Sequence, residues 1–260
     1  MRGQRAHIPP MDQSLPVPIA DTLSTDIAAL ARRYHRANGP VIRLVNRFGG
    51  QIEAQLSVLP AALRDQIEAR STQALQASYG LAGRLPDVGQ RGPLVAAVVS
   101  GAAGGAGGLA TSLAELPVTV TLFLNAIRAV ARDAGFDPSA DDIRIECLQV
   151  FAAGSPLADD DGVNTSFLAA RLALTGASVQ KVIAAVAPRL AIVLGQKLTA
   201  QAVPVLGALS GAALNAAFLG YYREMARVRF GLIRLAQTHG ADRVQDAFRQ
   251  AVTLPPILRA

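Results

Sequence analysis

The chain has 260 residues, which is enough for one large domain or two small ones with a buried core. Hydrophobic residues make up 51% of it and charged residues 17%, and the mean hydropathy of +0.30 is high for a soluble protein. The formal net charge is +6, but the basic residues are spread along the chain without alternating aromatics, which argues against nucleic-acid binding. A single cysteine, Cys147, excludes an internal disulfide and a thiolate-rich metal site.

The N-terminal segment differs in composition from the rest of the chain. Residues 1 to 20 contain four prolines and little apolar periodicity, which predicts a disordered tail ahead of a helical domain over residues 21 to 255. The basic residues at the start are not followed by an apolar segment, so the pattern does not fit a secretory signal. We therefore expect a cytoplasmic protein, and peripheral attachment to the inner membrane stays open.

Apolar residues recur at helical spacing from Ser24 to Phe48, and the Asn-Gly-Pro at residues 38–40 predicts a break between two helices. Five arginines lie in this stretch with no acid between Asp26 and Glu53: Arg32, Arg33, Arg36, Arg43 and Arg47. This run of charge indicates either a solvated helix face or a patch that binds anionic headgroups.

Helical periodicity continues through most of the remaining chain. Pro60 and Pro117 suit the first turn of a helix, and Ser139 with Asp142 has the pattern of an N-terminal cap pair. The predicted helices cover residues 60–79, 117–134, 139–151, 165–187, 189–201, 204–236 and 240–251. Because no strand-like alternation persists, the sequence predicts an all-α fold, a single compact multi-helix domain with Gly/Ala-rich central helices.

The patterns that would identify a metal or cofactor site are missing or incomplete. The three histidines are far apart and have no carboxylate at metal-ligand spacing. Gly105 and Gly107 give part of a dinucleotide-binding pattern, but only about two helical turns follow before the next apolar segment, too few for a crossover helix. We expect no metal and no cofactor.

Two long tracts carry almost no charge. The first, residues 92–127, is interrupted only by Glu115, and the second, residues 198–222, contains the amide of Asn215. Glycines four residues apart in both tracts allow two helices to approach closely. Both tracts are long enough to span a bilayer, but their small residues and Pro204 favour helices packed inside the protein.

The isolated carboxylate of Glu115 has two interpretations. Since Glu115 lies just before Pro117, its carboxylate is suited to accept amide hydrogens at the start of a helix. In the other interpretation, Glu115 and Thr119 face Asn215 across two helices, at the floor of an apolar slot that binds an acyl chain or a lipid-like ligand.

Two segments resemble the EcsC protein family. The first is AELPVTVTLFLNAIRAVARDAGFDPSADDIRIECLQVFAAGS, residues 114–155, and the second is AQAVPVLGALSGAALNAAFLGYYREMARVRFGLIRLAQTHGADRVQDAF, residues 200–248. Together the resemblance covers about residues 50 to 250. It implies a helical bacterial protein of a family without an established biochemical activity, named for a product encoded beside an ABC transporter.

The chain departs from the family pattern at two positions. Arg229 stands where relatives often have a histidine, and Ala236 stands where they have an acid.

Three functional hypotheses follow. In the first, the protein binds a lipid or apolar small molecule, or the anionic inner membrane surface, without catalysis, and Glu115, Thr119 and Asn215 form the ligand site. In the second, it is an enzyme, a hydrolase or proton-transfer catalyst on an apolar substrate, with Glu115 as acid or base. In the third, it is a helical partner module of a transporter or another membrane complex.

Overall fold

The computed structural model describes residues 19–37, 39–40, 42–43, 60–80, 108–153, 179–202 and 211–253. Within these ranges the chain forms seven α-helices, one 3₁₀ turn and no strand, which confirms the predicted all-α fold. The helices are α1 (Ile19–Arg36), α2 (Ala61–Gly80), α3 (Gly108–Asp133), α4 (Asp141–Gln149), α5 (Val179–Ala202), α6 (Gly211–His239) and α7 (Ala241–Thr253), and the 3₁₀ turn Val150–Ala153 follows α4 directly.

α1 is amphipathic: apolar residues spaced by one helical turn, Leu23, Ile27 and Ala31, are buried. The helix ends at Arg36, just before the Asn-Gly-Pro sequence that predicted a break. The second predicted helix of this region falls largely outside the described residues, although Ile42 is fully buried.

α2 agrees with its prediction to within one residue at each end. Pro60 lies just before the first helical residue, and its carbonyl accepts the amide hydrogen of Leu63 at 2.9 Å. The buried side chains of Ile67, Ala74 and Leu75 form the apolar face that packs on the core.

α3 begins nine residues earlier than predicted, so Pro117 lies inside the helix and not in its first turn. A proline in this position removes one intrahelical hydrogen bond. The helix ends as predicted near Ala134, where Gly135 adopts a φ of +87° and its amide donates to the Arg132 carbonyl at 2.9 Å. With the Phe136 amide bonded to the Ala131 carbonyl at 3.0 Å, this is a Schellman C-cap.

The predicted cap of α4 is wrong. Ser139 does not cap the helix, because its amide and hydroxyl both donate to the Asp137 carboxylate, at 2.9 and 2.6 Å. This local turn places Ala140 at the N-cap without a side-chain hydrogen bond. The two hydrogen bonds from Ser139 also hold the pKa of Asp137 below its usual value.

α5 runs without interruption through Pro188, where the sequence predicted a boundary between two helices. Pro188 lacks the amide that would donate to the Ala184 carbonyl, and both residues lie on the exposed side of α5, where this carbonyl is accessible to solvent. α6 and α7 are separated by Gly240, which has a φ of +84°. The predicted start of α6 at residue 204 and the whole segment 165–178 lie outside the described residues.

The helices pack in the spatial order α5, α2, α3, α6 and α1, with α7 against both α1 and α6. α4 and the 3₁₀ turn lie between α3, α5 and α6. The centre contains an aromatic cluster in which the ring of Tyr222 lies 5.5 Å from that of Phe123 and 5.1 Å from that of Phe151. α1 packs tightly on α6 at Gly231, where a Cβ atom would lie 2.7 Å from the Leu30 side chain.

Candidate functional site

Thr119 and Asn215 lie in neighbouring helices, α3 and α6, and both side chains are buried. The contact between Phe123 and Tyr222 sets the register of these helices. Thr119 lies one turn before Phe123 and Asn215 lies two turns before Tyr222, so both are at the same end of the helix pair. The predicted ligand slot at this position stays a prediction.

Glu115 lies in α3 one turn before Thr119, and its side chain is outside the described part of the structure. α3 begins at Gly108, so Glu115 lies about two turns inside the helix. It does not lie at the start of a helix that begins at Pro117. The interpretation of Glu115 as the cap of a helix that begins at Pro117 is therefore wrong.

Tyr222 contributes an unexpected polar atom to the aromatic cluster. Tyr222 and its neighbour Tyr221 are both buried. The hydroxyl of Tyr222 has no hydrogen-bond partner in the described structure, and burial raises the pKa of this phenol well above its usual value. Tyr222 and Asn215 are seven residues apart and so face the same side of α6.

Arg229, one of the two departures from the family pattern, forms a buried ion pair. Its Nε donates to the Glu146 carboxylate of α4 at 2.5 Å, and its Nη2 donates to the side-chain oxygen of Gln149. Arg229 is 1% exposed and Glu146 6%, so water screens this pair very little. The residues are more than 80 positions apart, and nothing in the sequence pattern predicted their contact.

Cys147 follows Glu146 of this ion pair in α4 and is fully buried. Burial raises the pKa of the thiol to about 12, although the nearby Arg128 guanidinium opposes the shift. The same burial lowers the pKa of Arg128, whose Nε has no hydrogen-bond partner among the described residues. Since the thiolate is the reactive form of cysteine, Cys147 is not a nucleophile at neutral pH.

Three of the five arginines in the predicted run of charge lie in α1 and border a surface groove of about 490 Å³, which we call the basic groove. It is lined by Ala29, Arg32, Arg33 and Arg36 of α1 and by Glu224 of α6. Arg33 donates to the Glu224 carboxylate at 3.1 Å, and Arg227 pairs with the other carboxylate oxygen. Arg32 and Arg36 are exposed and form no ion pair with any described residue.

A second groove of about 540 Å³, which we call the amphipathic groove, adjoins the first and shares Ala29 and Arg33 with it. It runs between α1, the C-terminal end of α3 and α6. Five apolar side chains form its floor: Leu30, Val130, Ala134, Phe230 and Leu235. Its charged residues are Arg33, Arg227, Arg234, Asp26 and Asp133. Neither of the two grooves is lined by Thr119 or Asn215.

One helix in the described ranges, Val179–Thr199, is long and apolar enough to cross a membrane, and 61% of its most apolar window is buried inside the protein. A core helix of a soluble protein has the same properties. Neither of the two tracts predicted from their lack of charge forms such a helix within the described residues.

The fold and these grooves define an all-α protein with a buried interhelical ion pair and an arginine-rich surface between its first and sixth helices. The EcsC protein family model matches residues 90–234, more than half of the chain, and the protein belongs to this family. The match includes Glu115, Thr119, Asn215 and the Arg229–Glu146 pair. No curated protein and no solved structure matches the chain.

Proposed function

We propose that the protein binds the surface of anionic membranes, without catalysis, through the basic groove. The observation that carries the proposal is the pair of exposed arginines, Arg32 and Arg36, that have no counter-ion in the described structure. They are four residues apart, so they project from the same side of α1 and lie within reach of one phosphate group. A guanidinium group binds phosphate through two parallel hydrogen bonds, which suits this arrangement.

The distribution of charge along α1 supports the same function. Its acids, Asp21 and Asp26, are in the N-terminal half, and the bases are all in the C-terminal half. Arg43, just beyond the helix, is also exposed. Each basic residue near an anionic bilayer contributes about 1 kcal/mol to binding, so a few such residues give salt-sensitive, reversible attachment.

The proposal is tested by flotation of the protein with vesicles of phosphatidylglycerol mixed with phosphatidylcholine. The double variant Arg32→Glu/Arg36→Glu should bind these vesicles at least about tenfold more weakly than the native protein. The matched control is Arg64→Glu/Arg70→Glu, which changes the net charge equally on the exposed side of α2 and should retain binding. Equal losses in the two variants would indicate a net-charge effect and contradict a specific groove.

A second candidate function is the binding of an apolar ligand between α3 and α6, and the Tyr222 hydroxyl favours it. A buried hydroxyl without a partner costs about 1–3 kcal/mol, and a polar atom of a ligand would remove that cost. Thr119 and Asn215 would then orient the ligand near Glu115. Native mass spectrometry of the purified protein tests this candidate, and a spectrum with only the mass of the chain would count against it.

A further inference from the structure

The basic groove and the amphipathic groove form one continuous surface with a basic end and an amphipathic end. α1 runs antiparallel to α6, because Arg33 pairs with Glu224 while Leu30 lies against Gly231. Moving along α1 towards its N-terminus, the surface passes from Arg36, through Arg33 and Arg32, to Leu30. The surface is therefore cationic at one end, and at the other it combines apolar side chains with charges of both signs.

The apolar part is open to solvent at its rim and closed by the core beneath. Leu30, Ala134 and Leu235 are partly exposed, whereas Val130 and Phe230 below them are buried. An exposed apolar surface of this kind is unfavourable in water unless something covers it. The close approach of α1 to α6 at Gly231 keeps the groove narrow.

The charges favour an anionic occupant. Five arginines line the two grooves, Arg32, Arg33, Arg36, Arg227 and Arg234, and three carboxylates do so, Asp26, Asp133 and Glu224. The Glu224 carboxylate pairs with both Arg33 and Arg227 and so offsets part of their positive charge. Arg32, Arg36 and Arg234 form no ion pair within the part of the chain that the structure describes.

We infer that the joined grooves hold one anionic phospholipid molecule, with its phosphate at Arg32 and Arg36 and one acyl chain along the apolar floor. This inference rests on the proposed function and extends it from attachment at a membrane surface to recognition of a single lipid. The combined surface offers arginines to the phosphate and apolar side chains to the acyl chain. The volume of each groove is in the range of small-molecule sites.

The test uses a monomeric lipid and no membrane. Binding of lysophosphatidylglycerol, below the concentration at which it forms micelles, is measured by isothermal titration calorimetry with the full chain. Lysophosphatidylcholine of the same acyl length serves as the ligand control. We expect the anionic lysolipid to bind at least about tenfold more tightly, since its headgroup lacks the choline cation that would face the arginines.

Ala29→Trp tests the single-lipid site at the point where the grooves meet. An indole there should obstruct the passage from headgroup to acyl chain and weaken lysolipid binding about tenfold or more. Because Ala29 also lines the basic groove, vesicle binding is compared in Leu235→Asp, whose residue lines only the amphipathic groove and which should retain it. Ala62→Trp on the exposed side of α2 is the control and should leave both unchanged. Native-like lysolipid binding by Ala29→Trp would overturn the single-lipid site and leave the membrane-surface function standing.

Leu235→Asp provides an independent variant if Ala29→Trp fails to fold, as judged by its thermal unfolding. A carboxylate on the apolar floor should weaken lysolipid binding by a similar factor without altering Arg32 or Arg36. Retained lysolipid binding in this variant would also overturn the inference. Loss of vesicle binding in Arg32→Glu/Arg36→Glu concerns the proposed function alone.

Discussion

The two outer sides of the molecule differ in how strictly they separate charged from apolar residues. On the α1 side, formed by α1, α6 and α7, the arginines of α1 are exposed and its apolar residues are buried. On the α5 side, formed by α2 and α5, Lys197 is only 2% exposed, whereas Ile192 of the same helix is 54% exposed. α5 also contains no acidic residue. Residue type determines the outward face of α1 and most of that of α5, where Lys197 and Ile192 are the exceptions.

The difference has a physical cause. α1 and α7 each have one narrow apolar face, so a single orientation buries it. α5 has a higher apolar content than α1, and its buried side contains Lys197 among apolar residues such as Val193 and Leu194. In the centre of the molecule, the Arg229–Glu146 ion pair fixes α6 against α4.

The largest effect is expected for Arg229→Met, because it leaves the Glu146 carboxylate buried without its cation. We expect a loss of about 3–5 kcal/mol in the free energy of unfolding, measured with urea. Arg243→Met on the exposed side of α7 is the control and should change it by no more than about 0.5 kcal/mol. The double variant Arg229→Met/Glu146→Leu should be more stable than Arg229→Met, and the opposite order would show that the ion pair does not stabilise the contact.

A pH dependence is expected from Cys147, which lies at the same contact. The folded protein keeps the thiol proton up to a pKa of about 12, whereas the unfolded chain loses it near about 8.5. The contribution of the thiol to stability is thus complete below about pH 8.5 and declines as the pH rises towards the folded value, by at most about 1.4 kcal/mol per pH unit.

Urea unfolding between pH 8 and 10 checks this expectation. Cys147→Ala should lower the stability at every pH but remove this part of the alkaline decline. If the free energy of unfolding declines equally with pH in the native protein and in Cys147→Ala, another group causes the decline. Tyr222, whose pKa is also raised by burial, is the first to test with Tyr222→Phe.

Two glycines should respond to alanine in opposite directions. Gly135 has a φ of +87°, which costs an L-residue about 1–2 kcal/mol, so Gly135→Ala should destabilise the end of α3. Gly220 is exposed in α6 with open space where a methyl group would lie, and Gly220→Ala should stabilise by about 0.5–1 kcal/mol. Thermal unfolding measures both, and a stabilising Gly135→Ala would contradict the left-handed C-cap.

The smallest effect on stability, and a gain in binding, is expected for Glu224→Gln on the α1 side. Its exposed ion pairs contribute at most about 1 kcal/mol to folding. Without the carboxylate, Arg33 and Arg227 become available to a membrane, and affinity for anionic vesicles should rise about fivefold. Asp246→Gln, which removes a carboxylate paired with Arg249 on α7, is the control. If the affinity of Glu224→Gln for anionic vesicles is unchanged, Arg33 and Arg227 do not belong to the binding surface.

The sequence predicted most helices, because their apolar stripes and flanking prolines and glycines are local signals. It placed α2 to within a residue but misjudged Pro117 and Pro188, since a proline inside a long helix has the same local pattern as one in a first turn. The burial of Thr119 and Asn215 is known only from the structure. The Arg229–Glu146 pair and the amphipathic groove join residues distant in the chain, and no local pattern encodes them.

The packing of α1 on α6 and α7 has a consequence for biosynthesis. α1 is translated before its partners α6 and α7, and Arg33 meets Glu224 across 191 residues. Leu23, Ile27 and Ala31 therefore lack their final neighbours until α6 and α7 have been translated. We expect the apolar face of the nascent α1 to be a binding site for chaperones during that interval.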